Sequence, residues 1–287
     1  MRLMKTNYLS QAAMFLLLLG CSEGSAEIPD KPNTNTKQEE SQQSGPDTPD
    51  GFELEIIDAP HYLLRFIAPE SFSAGTIYGE PLTLQVRISS SAPREYAAYY
   101  DAQNPDERPQ KAAAYKALCE RYGDTGYSGI REFFPLYTGG FDALWHNLVS
   151  IDVTSTADYD AGHPAGTSLN DLCELISWTP RDYLESGYTD RYDWSAPPAY
   201  IPEKYRHITF YYNGQVNDGL HPFRIPLSEC TAEDLLLMGS GQLEDGPLFL
   251  LRFAHAPEAG NSLQQFELKL TDERGGTYTV RTDVCKW

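Results

Sequence analysis

Alternation of apolar and polar residues is the feature that most constrains how this chain folds. Between residues 82 and 88 every second residue is Leu, Val or Ile, and the residues between them are polar. Successive side chains of a β-strand point to opposite faces, so this pattern predicts a strand with one buried face. The same alternation recurs at residues 149–153 and 266–270. The repetition predicts a mostly β fold.

Three further segments carry more specific signals. Residues 248–253 are almost continuously apolar, which predicts a central strand buried on both faces. Residues 223–227 alternate, but Pro226 lacks a backbone donor and confines this strand to a sheet edge. Residues 272–276 contain two glycines between alternating segments, which predicts a hairpin turn.

Helical patterns are short and fall between the predicted strands. Residues 112–122 place Tyr115 and Cys119 on one helix face, and Gly123 ends the pattern. Thr231 and Asp234 form a capping-box-like start for a second short helix that Gly239 ends. Many strands with helices only in connections favour a β-sandwich of the immunoglobulin-like kind. A closed β-barrel is the alternative.

The N-terminus has the features of an export signal. Arg2 and Lys5 precede an apolar run, residues 12–19, that is shorter than the about 20 residues needed to span a bilayer. Residues 1–20 are therefore predicted to be a signal peptide. The ending Leu18-Leu19-Gly20-Cys21 resembles the lipobox of bacterial lipoproteins, which implies that Cys21 carries lipid as the mature N-terminus. The alternative is an ordinary cleaved signal with a coincidental cysteine.

The composition changes after Cys21. Residues 21–50 are rich in Ser, Thr, Asn, Gln, Pro, Gly and acidic residues, and such a segment cannot bury enough apolar surface to order itself. We predict a disordered acidic tether. Residues 51–287 contain no second linker and are predicted to form a single β-rich domain, with two packed subdomains as the alternative.

The chain is strongly acidic. Its net charge is −19, and removal of residues 1–20 takes away two positive charges and leaves −21 on the mature chain. Phosphate backbones and anionic head groups are repelled by such a surface, so nucleic acid is excluded as an expected partner. The expected contact with membrane is through lipid on Cys21.

One segment resembles a known group of proteins. Residues 150–155 form a predicted strand, followed by an acidic turn and the run Pro164-Ala165-Gly166-Thr167-Ser168-Leu169. This is similar to a pattern in uncharacterised Bacteroidota envelope lipoproteins, which have no assigned activity. The resemblance implies an outer-membrane lipoprotein. Glu23, close behind Cys21, favours the cell surface over the periplasmic face.

The cysteines other than Cys21 are even in number, as expected where disulfides form in exported proteins. Their pairing is left open by the sequence, and the alternative is that some are small buried core residues. They are Cys119, Cys173, Cys230 and Cys285.

Two groups of residues are candidate ligand sites. Asp158, Asp160 and His163 could converge on a metal ion, although the segment departs from the calcium-binding EF-hand pattern and turns commonly use Asp and Gly. Tyr192, Trp194 and Tyr200 lie in a proline-rich stretch that could present flat rings to a sugar. The alternative is that these rings pack onto the domain.

No catalytic motif is recognisable. A nucleophile elbow, a zinc-binding His-Glu-x-x-His pair and a phosphate loop are all missing from the sequence. We therefore predict no catalytic residue and no cofactor, and favour a binding or interaction module for a glycan or a partner protein. A polymer hydrolase is the first alternative and requires a cleft with two facing acids. A structural assembly subunit is the second, and a long exposed edge strand would favour it.

Overall fold

A computed structural model describes residues 55–59, 61–89, 94–98, 108–133, 141–202, 205, 211–212, 215–216, 218–240, 246–258 and 260–287. All of these belong to the compact unit Pro49–Trp287. The predicted signal peptide, Cys21 and the predicted tether at 21–50 lie outside the described residues, so the anchor and the domain boundaries stay predictions.

Strands dominate the described part of the chain, as predicted. In chain order they are β1 (Glu55–Ala59), β2 (Leu63–Pro69), β3 (Phe72–Ile77), β4 (Glu80–Ile88), β5 (Arg94–Ala98), β6 (Gly129–Phe133), β7 (Phe141–Leu144), β8 (Leu148–Ser155), β9 (Cys173–Thr179), β10 (Tyr211–Tyr212), β11 (Gln215–Val216), β12 (His221–Pro226), β13 (Gly239–Ser240), β14 (Phe249–Phe253), β15 (Leu263–Gln264), β16 (Phe266–Asp272), β17 (Thr277–Arg281) and β18 (Cys285–Lys286).

Within the described ranges, helices occur only in connections between strands. They are α1 (Arg108–Arg121), α2 (Arg181–Glu185) and two single 3₁₀ turns, Asn170–Leu172 and Leu227–Glu229. α1 ends as the sequence predicts: Gly123 takes the left-handed conformation with φ of 71°, and Asp124 N donates to Cys119 O at 2.8 Å. Glycine takes this conformation without the steric cost that a Cβ would impose.

A five-stranded antiparallel sheet lies at the centre, in the order β12-β9-β14-β4-β3. Its middle strand β14 is buried on both faces, because Phe249 and Leu251 contribute to one core cluster and Leu250 to the other. The prediction for residues 248–253 is confirmed.

Among the described strands β12 pairs only with β9, so the prediction that Pro226 confines it to an edge is also confirmed.

The three-stranded sheet β17-β16-β8 covers one face of the central sheet. Val86 and Leu251 from the central sheet share a buried cluster with Val153 and Leu268 from the smaller one. Two sheets packed face to face through alternating apolar residues define a β-sandwich. This confirms the predicted fold class. Every described sheet has two edge strands, so the described strands do not close into the alternative barrel.

The opposite face of the central sheet is covered by a second sheet and a helix. The four-stranded sheet has the order β13-β7-β2-β5, with β2 and β7 parallel. Ile176 and Trp178 of β9 share a buried cluster with Phe66 of β2 and Tyr115 of α1. The described domain therefore has two cores separated by one sheet.

The hairpin β16–β17 closes through an aspartate-centred turn. Asp272 accepts hydrogen bonds from the backbone N–H groups of Arg274 (2.9 Å) and Gly276 (2.8 Å), while Gly275 has a φ of 83°. Leu268 pairs with Val280 across the strands. The predicted turn at residues 272–276 is confirmed.

The helix predicted between Thr231 and Gly239 is wrong. Thr231 N does donate to Asp234 Oδ2 at 2.8 Å, but this bond closes a turn and Gly239 begins β13. The reason lies at Leu237, whose N–H donates to Asn147 Oδ1 (2.9 Å) and whose φ is 51°. A non-glycine residue in this conformation cannot continue a right-handed helix.

We expect Leu251→Ala to lower the free energy of unfolding by about 2–5 kcal/mol, because Leu251 is fully buried and its loss leaves a cavity between the two packed sheets. Chemical denaturation of the purified protein measures this. Leu263→Ala is the matched control: Leu263 is 61% exposed and its truncation is expected to change stability by no more than about 0.5 kcal/mol. Equal losses for the two variants would contradict the assignment of Leu251 to a tightly packed core.

Candidate functional site

A cleft of about 630 Å³ lies between the β3–β4 hairpin and the C-terminal segment. One wall is formed by the end of β3 and the turn after it: Gly75, Thr76, Ile77, Gly79 and Pro81. The other wall is residues 283–287. The volume falls in the range of ligand-binding clefts, about 300–1,000 Å³.

One exposed apolar side chain lines this cleft, and two others belong to residues next to lining residues. Among the described residues the exposed large hydrophobic side chains are Tyr78 (101% exposed), Leu263 (61%) and Val284 (62%). Tyr78 lies in the hairpin turn between two lining residues, and Val284 lines the cleft itself. Leu263 pairs with the lining residue Lys286. Apolar residues gathered at one place on a surface mark an interaction site, whereas scattered ones need no explanation.

Strand β3 is an edge strand of the central sheet, since β4 is the only described strand that pairs with it, and β17 packs beside its start through the rings of Phe72 and Tyr278, 5.0 Å apart. Ser89 N donates to Ser71 O at 3.0 Å, which makes these two residues a hydrogen-bonded pair of the antiparallel ladder. Hydrogen-bonded and non-hydrogen-bonded pairs alternate along such a ladder. The N–H and C=O groups of Phe72, Ala74 and Thr76 therefore point away from β4, and Thr76 lines the cleft.

Gly75 removes side-chain bulk from the same stretch of edge. A Cβ built on Gly75 would have no heavy atom within 4 Å, so internal packing does not require glycine at this position. Glycine inside a strand often marks a place where another backbone comes close. The unpaired edge of β3 and the open space beside Gly75 therefore leave room for the extended main chain of a partner.

The cleft lining contains two charged side chains. Its charged side chains are Asp283 and Lys286, one of each sign. A glycosidase requires two carboxyl groups facing each other across the substrate, and the lining residues supply one. This cleft does not provide the feature required by the hydrolase alternative.

The predicted metal-binding turn is built around His163. His163 Nδ1 lies 2.7 Å from Asp160 Oδ1, and His163 Nε2 lies 3.1 Å from Asp171 Oδ2. Asp158 does not join them, because its carboxylate accepts a hydrogen bond from Ala165 N at 2.8 Å. The structure thus brings together His163 and Asp160, two of the three predicted residues, and adds Asp171. Both ring nitrogens of His163 lie within hydrogen-bond distance of a carboxylate.

These carboxylates stabilise the charged imidazolium. The hydrogen bond to Asp160 raises the pKa of His163 above its ordinary value of 6.5, with a smaller contribution from Asp171. The same hydrogen bond lowers the pKa of the Asp160 carboxyl below 3.8. The turn is therefore held by an ion pair in weakly acidic solution.

We expect His163 to titrate above pH 6.5 and to lose most of this shift in Asp160→Asn. Because the folded-state pKa is raised, the stabilisation is fully present below pH 6.5 and is lost as pH rises through the raised pKa. NMR titration of the His163 ring measures both effects. Asp171→Asn serves as the comparison and should produce a smaller decrease, since Asp171 is 62% exposed. A His163 pKa that is the same in both variants and the parent would rule out this ion pair.

The predicted aromatic platform is not formed as expected. Trp194 is only 4% exposed, and the ring of Tyr192 packs against it with centroids 4.6 Å apart. Tyr200 is half-buried beneath the guanidinium of Arg224, 5.2 Å from the ring centroid. The expectation of a flat exposed surface is thus wrong for Trp194, because its ring belongs to the second core and cannot stack on a sugar.

The four cysteines among the described residues are free thiols in this structure. Cys119 lies in one core cluster and Cys173 in the other, which keeps these two apart. Cys230 is half-buried, and Cys285 is buried near the cleft. Burial raises the pKa of the Cys230 thiol to about 11, so it is protonated at neutral pH.

A buried polar network at the end of α1 has no counterpart among the sequence predictions. The fully buried Asp124 carboxylate accepts hydrogen bonds from the backbone N–H groups of Tyr62 and Leu63, both at 2.8 Å, and from the Tyr188 hydroxyl at 2.9 Å. Burial raises the pKa of the Asp124 carboxyl, although these bonds act in the opposite direction. One carboxylate thus joins the end of the helix to the start of β2.

Cys119 and His61 adjoin this carboxylate. Burial, together with the Asp124 charge, raises the pKa of the Cys119 thiol to about 12. A thiol with such a pKa is neutral at physiological pH and is not an activated nucleophile. His61 is separated from Asp124 by 63 positions and meets its carbonyl oxygen through Nδ1. No local spacing could have indicated this grouping.

Comparison with known proteins gives no matching family model, no matching curated protein and no matching solved structure. Within the described residues no helix has the length and apolar character needed to cross a membrane.

Proposed function

We propose that this chain is a lipid-anchored envelope protein whose β-sandwich binds an extended segment of a partner protein at the cleft beside β3. The observation that carries the binding function is the unpaired edge of β3 beside this cleft, with exposed Val284 in its lining and exposed Tyr78 and Leu263 next to lining residues. The anchor is supported by the lipobox-like ending at Cys21, and the acidic segment 21–50 would hold the domain away from an outer membrane, at the cell surface.

A polypeptide suits this site better than a sugar. The outward-pointing backbone groups of Ala74 and Thr76 can continue the β-ladder with an added strand, and this mode of binding depends on main-chain hydrogen bonds. The surrounding apolar residues would receive alternate side chains of that strand. The residue predicted to stack on a sugar, Trp194, is buried in the second core and does not line this cleft.

The net charge of the chain favours a basic partner segment over an acidic one. The chain carries −19, so pairing β3 with the β3 edge of a second copy would bring two strongly acidic molecules together. A partner segment with basic residues flanking apolar ones would be attracted instead. The proposed occupant is therefore an extended basic and apolar segment of another protein.

We expect random peptides displayed on phage to yield binders that share alternating apolar residues and net positive charge. Tyr78→Ala combined with Val284→Ser should weaken binding of a selected peptide by about 2 kcal/mol, or roughly thirty-fold, because these side chains supply the exposed apolar contacts. Calorimetry measures the affinity. Tyr192→Ala is the matched control, since Tyr192 does not line the cleft and packs against Trp194, and it should retain binding.

Substitutions at Thr76 test whether backbone hydrogen bonds contribute to peptide binding. Thr76→Pro removes the outward N–H while an edge strand tolerates proline, and Thr76→Val keeps the N–H with a similar shape. Loss of binding in Thr76→Pro with retention in Thr76→Val supports strand addition. Failure to select any peptide, binding that follows Tyr192, or selection of a glycan from an array instead would overturn the proposal.

We expect Cys21→Ser to remove the lipid and to release the protein from the membrane fraction, because the thioether acceptor is lost. Intact mass and fractionation of expressing cells measure these two effects. Cys230→Ser is the control, since Cys230 is the most accessible of the other cysteines, and it should stay membrane-bound. Retention of the lipid mass in Cys21→Ser would exclude the anchor.

A further inference from the structure

Three side chains of the types that bind transition metals meet at the end of α1. One imidazole nitrogen of His61, the thiol sulfur of Cys119 and a carboxylate oxygen of Asp124 all lie within 4.8 Å of one another. Cys119 belongs to the last turn of α1, Asp124 follows that helix, and His61 precedes β2. None of the three lines the cleft beside β3, so this site is separate from the proposed binding function.

The electrostatics of the site favour a cation. The carbonyl groups at the C-terminal end of a 14-residue helix carry partial negative charge, and the Asp124 carboxylate is buried beside them. No Lys or Arg of the described residues forms an ion pair with Asp124. Buried carboxylates in proteins are normally paired with a positive group or coordinate a metal. The partial negative charge at the helix end and the buried carboxylate together favour a bound cation.

The donor groups also have capacity for a metal. Asp124 Oδ1 accepts hydrogen bonds from Tyr62 N and Tyr188 OH, whereas among the described residues Oδ2 accepts one, from Leu63 N. Each carboxylate oxygen has two lone pairs, so one on Oδ2 remains. The His61 ring is held through Nδ1 by the Asp124 carbonyl oxygen. Metal-binding histidines are commonly held by such a bond from the nitrogen that does not bind the metal.

We propose that His61, Cys119 and Asp124 bind one zinc-type divalent transition metal ion. A nitrogen, a thiolate sulfur and a carboxylate oxygen form a tetrahedral set with a fourth position for water. The sulfur selects Zn²⁺ over Mg²⁺ and Ca²⁺, which prefer oxygen donors alone. When the metal binds, the Cys119 S–H bond breaks, its proton passes to solvent, and the sulfur electron pair forms the bond to the metal.

The expected consequence is structural. A metal held by these residues would tie the start of β2 to the end of α1, where the Asp124 carboxylate already joins the two. It would stabilise the folded state in proportion to its occupancy, because the ligands lie in separate parts of the sequence and come together only on folding. His61 is half-buried, so an ion would reach the site from solvent past this side chain.

Titration of chelator-treated full-length protein with Co²⁺ tests the proposal. A thiolate bound to Co²⁺ gives a charge-transfer absorption, and we expect this band to saturate at one ion per chain and to disappear when Zn²⁺ is added. Cys119→Ala should abolish the band. Cys173→Ala, which removes a cysteine buried in the other core, should leave it unchanged.

A second variant keeps the test decisive if Cys119→Ala destabilises the fold. His61→Ala changes a half-buried residue, and we expect it to weaken Co²⁺ binding by more than about a hundred-fold, beyond the range typical of residues that only support a metal ligand. Zn²⁺ should also raise the midpoint of thermal unfolding of the parent protein, with no such effect in His61→Ala. Absence of the thiolate band, its persistence in Cys119→Ala, or equal Co²⁺ affinity in His61→Ala would overturn the proposal.

Discussion

Burial of both faces of the central sheet is the constraint on which the rest of this structure depends. β14 sends Phe249 and Leu251 into one core and Leu250 into the other, so neither face can be left in water. Burying side chains of this size stabilises a fold by about 1.5–3 kcal/mol each. The three-stranded sheet must cover one face, and the four-stranded sheet with α1 must cover the other.

The same arrangement leaves the edges of the central sheet exposed. One edge is β12, where Pro222 and Pro226 remove backbone donors and discourage a further strand. The other edge is β3, which contains no proline and has Gly75 in its middle. The contrast between a protected edge and an open one next to exposed apolar residues is what makes β3 the physically favoured place for a partner.

Polar groups in this domain work mainly at the joins between elements. Asp272 closes the last hairpin, Asp160 holds His163 in the acidic turn, and Asp124 joins α1 to β2. Asp160 is matched by a titratable cation, so its turn responds to pH. Asp124 also lies beside a histidine, but it is fully buried and has a thiol within reach as well, and this set of donor groups is what singles it out as a centre for a metal ion.

The sequence by itself determined the strands whose side chains alternate, the doubly buried β14, the edge position of β12 and the hairpin turn at Asp272, because each depends on local periodicity or on one residue's backbone chemistry. It also contains the lipobox-like Cys21. Only the tertiary structure decided that Trp194 is buried, that Leu237 breaks the predicted helix, and that His61 meets Asp124. Those outcomes depend on contacts between residues far apart in the chain, which no short pattern encodes.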